Sequence, residues 1–340
     1  MKQILRAYSI VIFLSVFTQS AVLAAGEPQV EKKKTYNKSY DVDNNDVISL
    51  KNQFGEMRIN TWDRNEVKVE VTITSKANTE ERAQEILDKI SIEDGKNGNG
   101  VYFKTNWKND KDEDKKEKSK KEEHREEGMT INYLVYLPSR NPIDISNQFG
   151  ATIIPDISGE TRIESQFGTL DAGNLSNVKD LSIQFGSGEV ESVNNGKLNF
   201  QFNNKPIVVK RITGDVTVQI QHCKSNSVKL NVDNAVKSMN LHNSFSDVIV
   251  SVPNNFSATY NVSTSHGSFT NKSNFAIAEE ERGETSKYGP QFNHKYSGNS
   301  GNGASKIRIS TDFGEVVIAH SMDVKLESKS TKEKKRTTVI

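Results

Sequence analysis

Five consecutive segments of the chain repeat one order of side chains around a recurring aromatic position. That position holds Phe149, Phe167, Phe185 and Phe202, and in the fifth segment it falls on Ile220. The step is 18 residues at first and shortens to 17 before Phe202. Self-similarity at a fixed period is typical of repeat folds, in which each repeat stacks on its neighbours.

Residues at equal distances from the aromatic position share their chemistry. One place before it stands a row of glutamines: Gln148, Gln166, Gln184, Gln201 and Gln219. Five places before it stands a row of charges that alternate in sign: Asp144, Arg162, Asp180, Lys197 and Asp215. Such rows make physical sense if equivalent residues lie above one another on parallel strands roughly 4.7–4.9 Å apart. The repeat therefore predicts an all-β fold, a parallel β-solenoid.

Apolar residues alternate with these polar ones, as at Leu181 and Ile183 in the third segment. Alternation with period two predicts half-buried strands whose apolar side chains point inward. We expect the rings to join this inner ladder: Phe149, Phe167, Phe185 and Phe202. The residue after the ring is glycine in three segments, and we expect positive φ there because glycine tolerates it best. An early copy of the pattern ends at Phe54, and looser copies follow residue 220.

The polar rows allow two interpretations. Stacked amides and alternating charges hold strands in register, since a slip by one residue would bury the polar set and expose the apolar one. Alternatively, the five glutamines form a flat face rich in hydrogen-bonding groups that binds a glycan or a protein, with Gln166, Gln184 and Gln201 at its centre.

The first 25 residues read as a secretory signal peptide. Lys2 and Arg6 precede a short apolar run, and small residues end at Ala24 or Ala25. We therefore expect an extracytoplasmic protein (periplasmic, outer-surface or secreted), with no membrane span in the mature chain. The single cysteine, Cys223, excludes an internal disulfide, and a net charge of +1 argues against nucleic acid as the partner.

Composition shifts divide the rest of the chain. After a flexible lead-in we expect a β-rich region with one short helix and a disordered charged insertion, then the solenoid with one long loop, and a basic tail. The predicted bounds are 26–45 for the lead-in, 46–142 for the β-rich region with its helix at 79–90 and insertion at 108–128, 143–320 for the solenoid with its loop at 271–304, and 321–340 for the tail.

The N-terminal strands, the NTEERAQEILDKI helix, the INYLVYLP strand and the QFG-type turns together resemble the bacterial putative-adhesin β-strand-repeat family of exported or envelope proteins. The resemblance covers about residues 40–320. It implies a non-enzymatic cell-envelope or surface protein, and it supplies no active-site residue to carry across.

No residue pattern predicts a catalytic, cofactor or metal site. Asp171 and Glu189 stand one repeat apart and are expected to face outward, but nothing around them encodes the cleft that a glycosidase needs. His266 falls on the aromatic position and is expected to join the ladder, while His222 and Cys223 should point to opposite faces.

The sequence thus favours a non-catalytic envelope or surface solenoid that acts as an adhesin, scaffold or binding surface for an envelope protein or glycan. Two alternatives stay open. One is a structural element that self-associates through the ends of the solenoid, and the other is a secreted polysaccharide-active β-helix enzyme that uses Asp171.

Overall fold

The computed structural model describes residues 30–108, 127–224, 227–281 and 292–324. Within these ranges the protein is all-β, with 21 strands in one large sheet of mixed parallel and antiparallel pairs, and one helix. The predicted signal peptide, nearly all of the charged insertion and most of the basic tail lie outside the described residues.

The N-terminal region holds seven strands and the helix. The strands are β1 (Val30–Asp41), β2 (Val47–Gln53), β3 (Met57–Thr61), β4 (Glu66–Ala77), β5 (Ile90–Asn97), β6 (Gly100–Trp107) and β7 (Gly128–Leu137), and α1 (Glu80–Asp88) lies between β4 and β5. The hydroxyl of Thr79 accepts a hydrogen bond from a backbone N–H of the first turn, which caps the helix. Ala83, Ile86 and Leu87 are buried and fasten α1 to the sheet.

The flexible lead-in predicted for residues 26–45 is wrong, because β1 pairs with β4 along its whole length. Tyr36 and Tyr40 on β1 both donate hydrogen bonds to the carboxylate of Asp94 on β5. A Lys-rich sequence has little intrinsic preference for a strand, so the pairing decides its conformation. The lysines suit an edge strand, where charge discourages pairing with another chain.

The repeats supply eight strands: β8 (Ile143–Gln148), β9 (Ala151–Ile154), β10 (Ile157–Gln166), β11 (Thr169–Gln184), β12 (Ser187–Gln201), β13 (Ile207–Gln221), β14 (Val228–Ser244) and β15 (Asp247–Ser251). Successive repeats pair in parallel with equivalent residues opposite one another. Ile163, for example, lies between Ile145 and Leu181. β8 and β9 pair in turn with β2 and β3, so the stacked array begins inside the N-terminal region.

The C-terminal part stacks out of sequence order. Its strands are β16 (Ala258–Ser265), β17 (Ser268–Asn271), β18 (Ala276–Glu279), β19 (Asn293–Ser300), β20 (Ser305–Asp312) and β21 (Glu315–Ala319). β20 pairs with β14 on one side and with β16 on the other, and β21 lies likewise between β15 and β17. The layer formed by β20 and β21, although last in the sequence, therefore lies between the layer of β14 and β15 and the layer of β16 and β17.

The long loop predicted for 271–304 is also corrected. β18 and β19 lie within it and pair antiparallel with each other, and β19 pairs antiparallel with β16. The segment is rich in Asn, Gly and Ser, which favour turns in isolation. Its backbone groups are instead satisfied by the exposed edge of β16.

The core is a narrow column of aliphatic side chains that runs through the stack. Leu181, Leu198, Val218, Leu241 and Ile309 occupy equivalent places in successive layers and are all buried. Each layer buries its apolar face only against its two neighbours, so stability depends on the continuity of the stack.

Candidate functional site: an exposed aromatic rib

Ten stacked rings form a continuous strip on the outside of the protein, which we call the aromatic rib. In stacking order they are Phe54, Phe149, Phe167, Phe185, Phe202, His222, Phe245, Phe313, His266 and Phe292. Neighbouring centroids are 4.5–5.3 Å apart and interplanar angles are 4–15°. Nine steps at the strand spacing of about 4.8 Å make the rib about 43 Å long.

The rings point outward, so the expectation that they join the inner ladder is wrong. Seven phenylalanines of the rib are 43–49% exposed. The four expected inside are among them: Phe149, Phe167, Phe185 and Phe202. The rings do form a ladder, but they form it at the corner where each chain segment turns from one strand to the next.

The backbone conformation of the ring residues explains this position. Nine of the ten have φ between 51° and 63°, the left-handed region that costs a non-glycine residue roughly 1–2 kcal/mol. Their N–H groups donate to carbonyls of the adjacent layer, as from Phe167 to Gln184 at 2.9 Å and from Phe185 to Gln201 at 3.1 Å. These bonds and the stacking hold each turn in a conformation that its sequence alone disfavours.

Positive φ was expected instead at the glycine after the ring, and this is wrong for Gly150, Gly168 and Gly186. Glycine is required there by close packing. A Cβ at Gly168 would lie 1.9 Å from the carbonyl oxygen of Gly150, and one at Gly150 would lie 1.9 Å from that of Gly55. The glycines let successive turns approach closely enough for the rings above them to stack.

The fifth repeat is shifted by two residues from the register that the sequence predicts. Ile220 is buried opposite Phe200, and His222 takes the aromatic position and stacks on Phe202. The chain gains length in the turn that follows Phe202 and in a bulge on β13, where Gly214 and Asp215 together lie opposite Asn195. The pair Gln221–His222 keeps the glutamine–ring order of earlier repeats, which is the sequence signal that identifies it.

The glutamine row is correspondingly Gln53, Gln148, Gln166, Gln184, Gln201 and Gln221. The predicted member Gln219 lies opposite Asn199 instead. Gln53 donates to Gln148 at 3.2 Å and Gln148 donates to Gln166 at 3.1 Å. The amide ladder thus links neighbouring layers beside the rib.

The charge row is in register over its first three members. Asp144, Arg162 and Asp180 lie opposite one another in register. Lys197, however, lies opposite Thr217, and Asp215 lies opposite Ser238, whose hydroxyl donates to it at 2.5 Å. The predicted place of Asp215 in the row is therefore wrong, because the fifth repeat is shifted by two residues.

Asp171 and Glu189 lie opposite each other on β11 and β12, as expected from their spacing. The ammonium of Lys210 lies 2.5 Å from Glu189 and 3.0 Å from Glu191. Hydrogen bonds to these two carboxylates raise the pKa of Lys210 above its usual value. Glu189 is thus an ion-paired carboxylate, and it lies in a groove of about 400 Å³ that Asp171, Glu191 and Lys210 also line.

The remaining predictions concern histidines and the cysteine. His266 stacks between Phe313 and Phe292 as a member of the rib. His222 lies on the outside while Cys223 is buried, and burial raises the pKa of the Cys223 thiol. Among the described residues there is no helix long and apolar enough to span a membrane.

The rib is a large apolar patch for a soluble protein. A phenylalanine side chain has roughly 150–250 Å² of surface, so at 43–49% exposure each of seven rings leaves roughly 65–120 Å² open. Together the seven rings leave roughly 450–850 Å² open, which covers the upper part of the roughly 300–600 Å² of the largest patch on a typical monomer and extends beyond it. Patches of this size are often interaction surfaces.

Several solved structures are similar to the chain at low identity. A putative cell adhesion protein from Clostridium sporogenes is 10% identical over 85% of this chain and 99% of its own, with a TM-score of 0.24. A putative adhesin from Bacteroides fragilis is 12% identical over 84% and 97%, with a TM-score of 0.37. A putative lipid binding protein from Parabacteroides distasonis is 12% identical over 84% and 96%, with a TM-score of 0.27.

No family model matches the sequence, and no curated protein matches it. The neighbours' descriptions as adhesins agree with the family that the sequence resembles.

Proposed function

We propose that this protein is an exported, non-catalytic β-solenoid of the cell envelope that binds an extended partner along the aromatic rib. The observation that carries the proposal is the continuous stack of ten rings, in which seven phenylalanines are 43–49% exposed. A straight apolar strip about 43 Å long suits a partner of similar length, such as a strand or a helix.

The stacking favours a protein over a glycan as the partner. Sugar C–H groups pack on the negatively polarised faces of aromatic rings. The faces in the rib are covered by the next ring, as between Phe167 and Phe185 at 4.8 Å, and only the ring edges are open. Edges suit apolar side chains and the faces of a partner's own aromatic rings.

The arrangement of carboxylates supports the absence of catalysis. Glycoside hydrolysis needs one carboxyl group with a raised pKa beside a second carboxylate. Here the carboxylate opposite Asp171, that of Glu189, is already ion-paired with Lys210 at 2.5 Å. Polysaccharide cleavage that is lost in the Asp171→Asn protein would restore the enzymatic alternative.

Self-association through the ends has less support than binding along the rib. Among the described residues β1 pairs with β4 alone. Its sequence carries Lys32, Lys33, Lys34 and Lys38, which repel a second copy at this edge. Helix α1 packs beside it against β1 and β4. Light scattering that rises with protein concentration would favour the alternative.

The test compares binding of the purified protein to an envelope fraction with that of the Phe149→Asn, Phe167→Asn, Phe185→Asn triple variant. Asparagine tolerates the left-handed conformation, so the turns are retained while three apolar edges are removed. A matched control replaces Gln166, Gln184 and Gln201 by alanine.

We expect the asparagine variant to lose most binding, and protease treatment of the fraction to abolish it. Unchanged binding by the folded asparagine variant would refute the rib as the site. Loss of binding in the alanine control alone would assign it to the glutamine row. Sensitivity to glycan oxidation but not to protease would make the partner a glycan.

A further inference from the structure

We propose that a groove on the outer face near the C-terminal end binds the anionic group of a sugar acid. The groove encloses about 440 Å³ on the outer side of β14, β20, β16 and β19. Besides Glu280 and Tyr296, its lining has seven polar side chains: Asn240, His242, Asn261, Ser263, Lys295, Arg308 and Ser310. That volume lies in the range of about 300–1,000 Å³ for small-molecule sites.

Strand pairing places one positively charged side chain on each side of β16. Asn261 on β16 lies opposite Arg308 on β20, and Ser263 lies opposite Lys295 on β19. Ser310 lies beside Ser263 on the Arg308 side. An anion over β16 would therefore have a guanidinium on one side, an ammonium on the other and hydroxyl and amide donors beneath it.

None of these seven side chains makes a hydrogen bond or ion pair with another described residue. Several groups of the same kind elsewhere on the outer face are used within the protein. Gln148 donates to Gln166, Asn199 donates to Asp180, and Lys210 pairs with two glutamates. A cluster of unused donors in one concave place is the arrangement that a polar ligand requires.

The charges in the groove select an anion. Glu280 is the only acidic residue among the lining residues, against Arg308 and Lys295. Arginine presents a planar fork of donors that matches a carboxylate or a phosphate in two hydrogen bonds. Asn240, Asn261 and the two serines can bond neutral hydroxyls, which points to an anion attached to a sugar ring.

The site lies on the sheet face, whereas the rib lies at the turn, so this inference is independent of the proposed function. Calorimetry with galacturonate, galactose and inorganic phosphate as separate probes tests it. We expect saturable binding of galacturonate, in the millimolar range or tighter, and weaker binding of both other probes. Equal binding of galactose would refute the need for an anion, and equal binding of phosphate would refute the sugar.

Variants locate the site. Arg308→Gln is expected to weaken galacturonate binding by about tenfold or more, as for the loss of a charged hydrogen bond. Lys306→Gln is the matched control, because Lys306 is exposed on the same strand but does not line the groove. Its effect should stay below about twofold, since exposed charges are screened. Equal effects of the two substitutions, or no binding of galacturonate at all, would overturn the proposal.

Discussion

Phe167 and Phe185 stack with their ring centroids 4.8 Å apart, although each holds its backbone in the left-handed region, at φ of 54° and 55°. The left-handed backbone and the stacked ring recur together along the rib. The same residues therefore combine an unfavourable turn conformation with a favourable ring contact. The two effects can be separated by substitution.

Phe185→Ala removes two ring contacts but keeps a side chain in the left-handed conformation. We expect the free energy of unfolding to fall by about 1–3 kcal/mol, since each stacked pair contributes about 0.5–1.5 kcal/mol. Phe185→Gly removes the same contacts and relieves the backbone, and it should be about 0.5–1 kcal/mol more stable than the alanine variant. Urea unfolding measures both, and an alanine variant as stable as glycine would contradict the backbone cost.

Gly168→Ala should destabilise the protein by about 1–3 kcal/mol or more, because the added methyl group would overlap the carbonyl oxygen of Gly150. Gly98→Ala is the control, since a Cβ there meets no atom within 4 Å. Thermal unfolding of the two variants gives the comparison. Similar midpoints would mean that successive turns lie farther apart than the structure has them.

His222→Phe should stabilise the protein by about 0.5–1 kcal/mol. His222 lies between Phe202 and Phe245, at 5.3 and 4.8 Å, so a phenylalanine there would continue the stack on both sides. His242→Phe serves as the control because His242 is exposed and stacks on no ring among the described residues. Chemical denaturation should show a gain for the first variant only.

Acid should weaken the corner that joins β9 to β10. Asp156 accepts hydrogen bonds from the backbone N–H of Asn174 at 2.7 Å and from its side-chain amide at 2.9 Å, and these lower the pKa of Asp156 below 3.8. Because its pKa is lower in the folded state, ionised Asp156 stabilises the fold at pH values above the pKa that it has in the unfolded chain. This stabilisation is lost as the pH falls through the folded-state pKa.

The measurement is unfolding at neutral pH and near pH 3 for the parent protein and for Asp156→Asn. The substitution should lower stability at neutral pH by less than about 1 kcal/mol, since Asp156 is exposed. The difference should shrink in acid. If the stability difference between the parent and the variant grew in acid, the pKa of Asp156 could not be lowered by folding.

Residue spacing was sufficient to predict the parallel register over the first repeats. Gln148, Gln166 and Gln184 stand opposite one another because equal spacing and alternation leave one arrangement that buries every apolar side chain. The helix near residues 80–88 was predictable for a similar reason, since its cap and its apolar face are local signals.

Spacing failed where the repeat length changes. The alternation of polar and apolar residues allows either Ile220 or His222 to take the ring position. Only the pairing register of β12 and β13 places His222 there. Likewise, a period of two cannot tell whether a ring at the end of a strand turns inward or outward, because φ of that residue decides it.

The sequence by itself determined that this chain builds stacked, in-register strands, because its polar and apolar residues recur at one period. Only the tertiary structure decided which way the rings face and where the last layer inserts. Both depend on hydrogen bonds between residues far apart in the chain, such as that from Phe245 to Asp312, which no local pattern encodes.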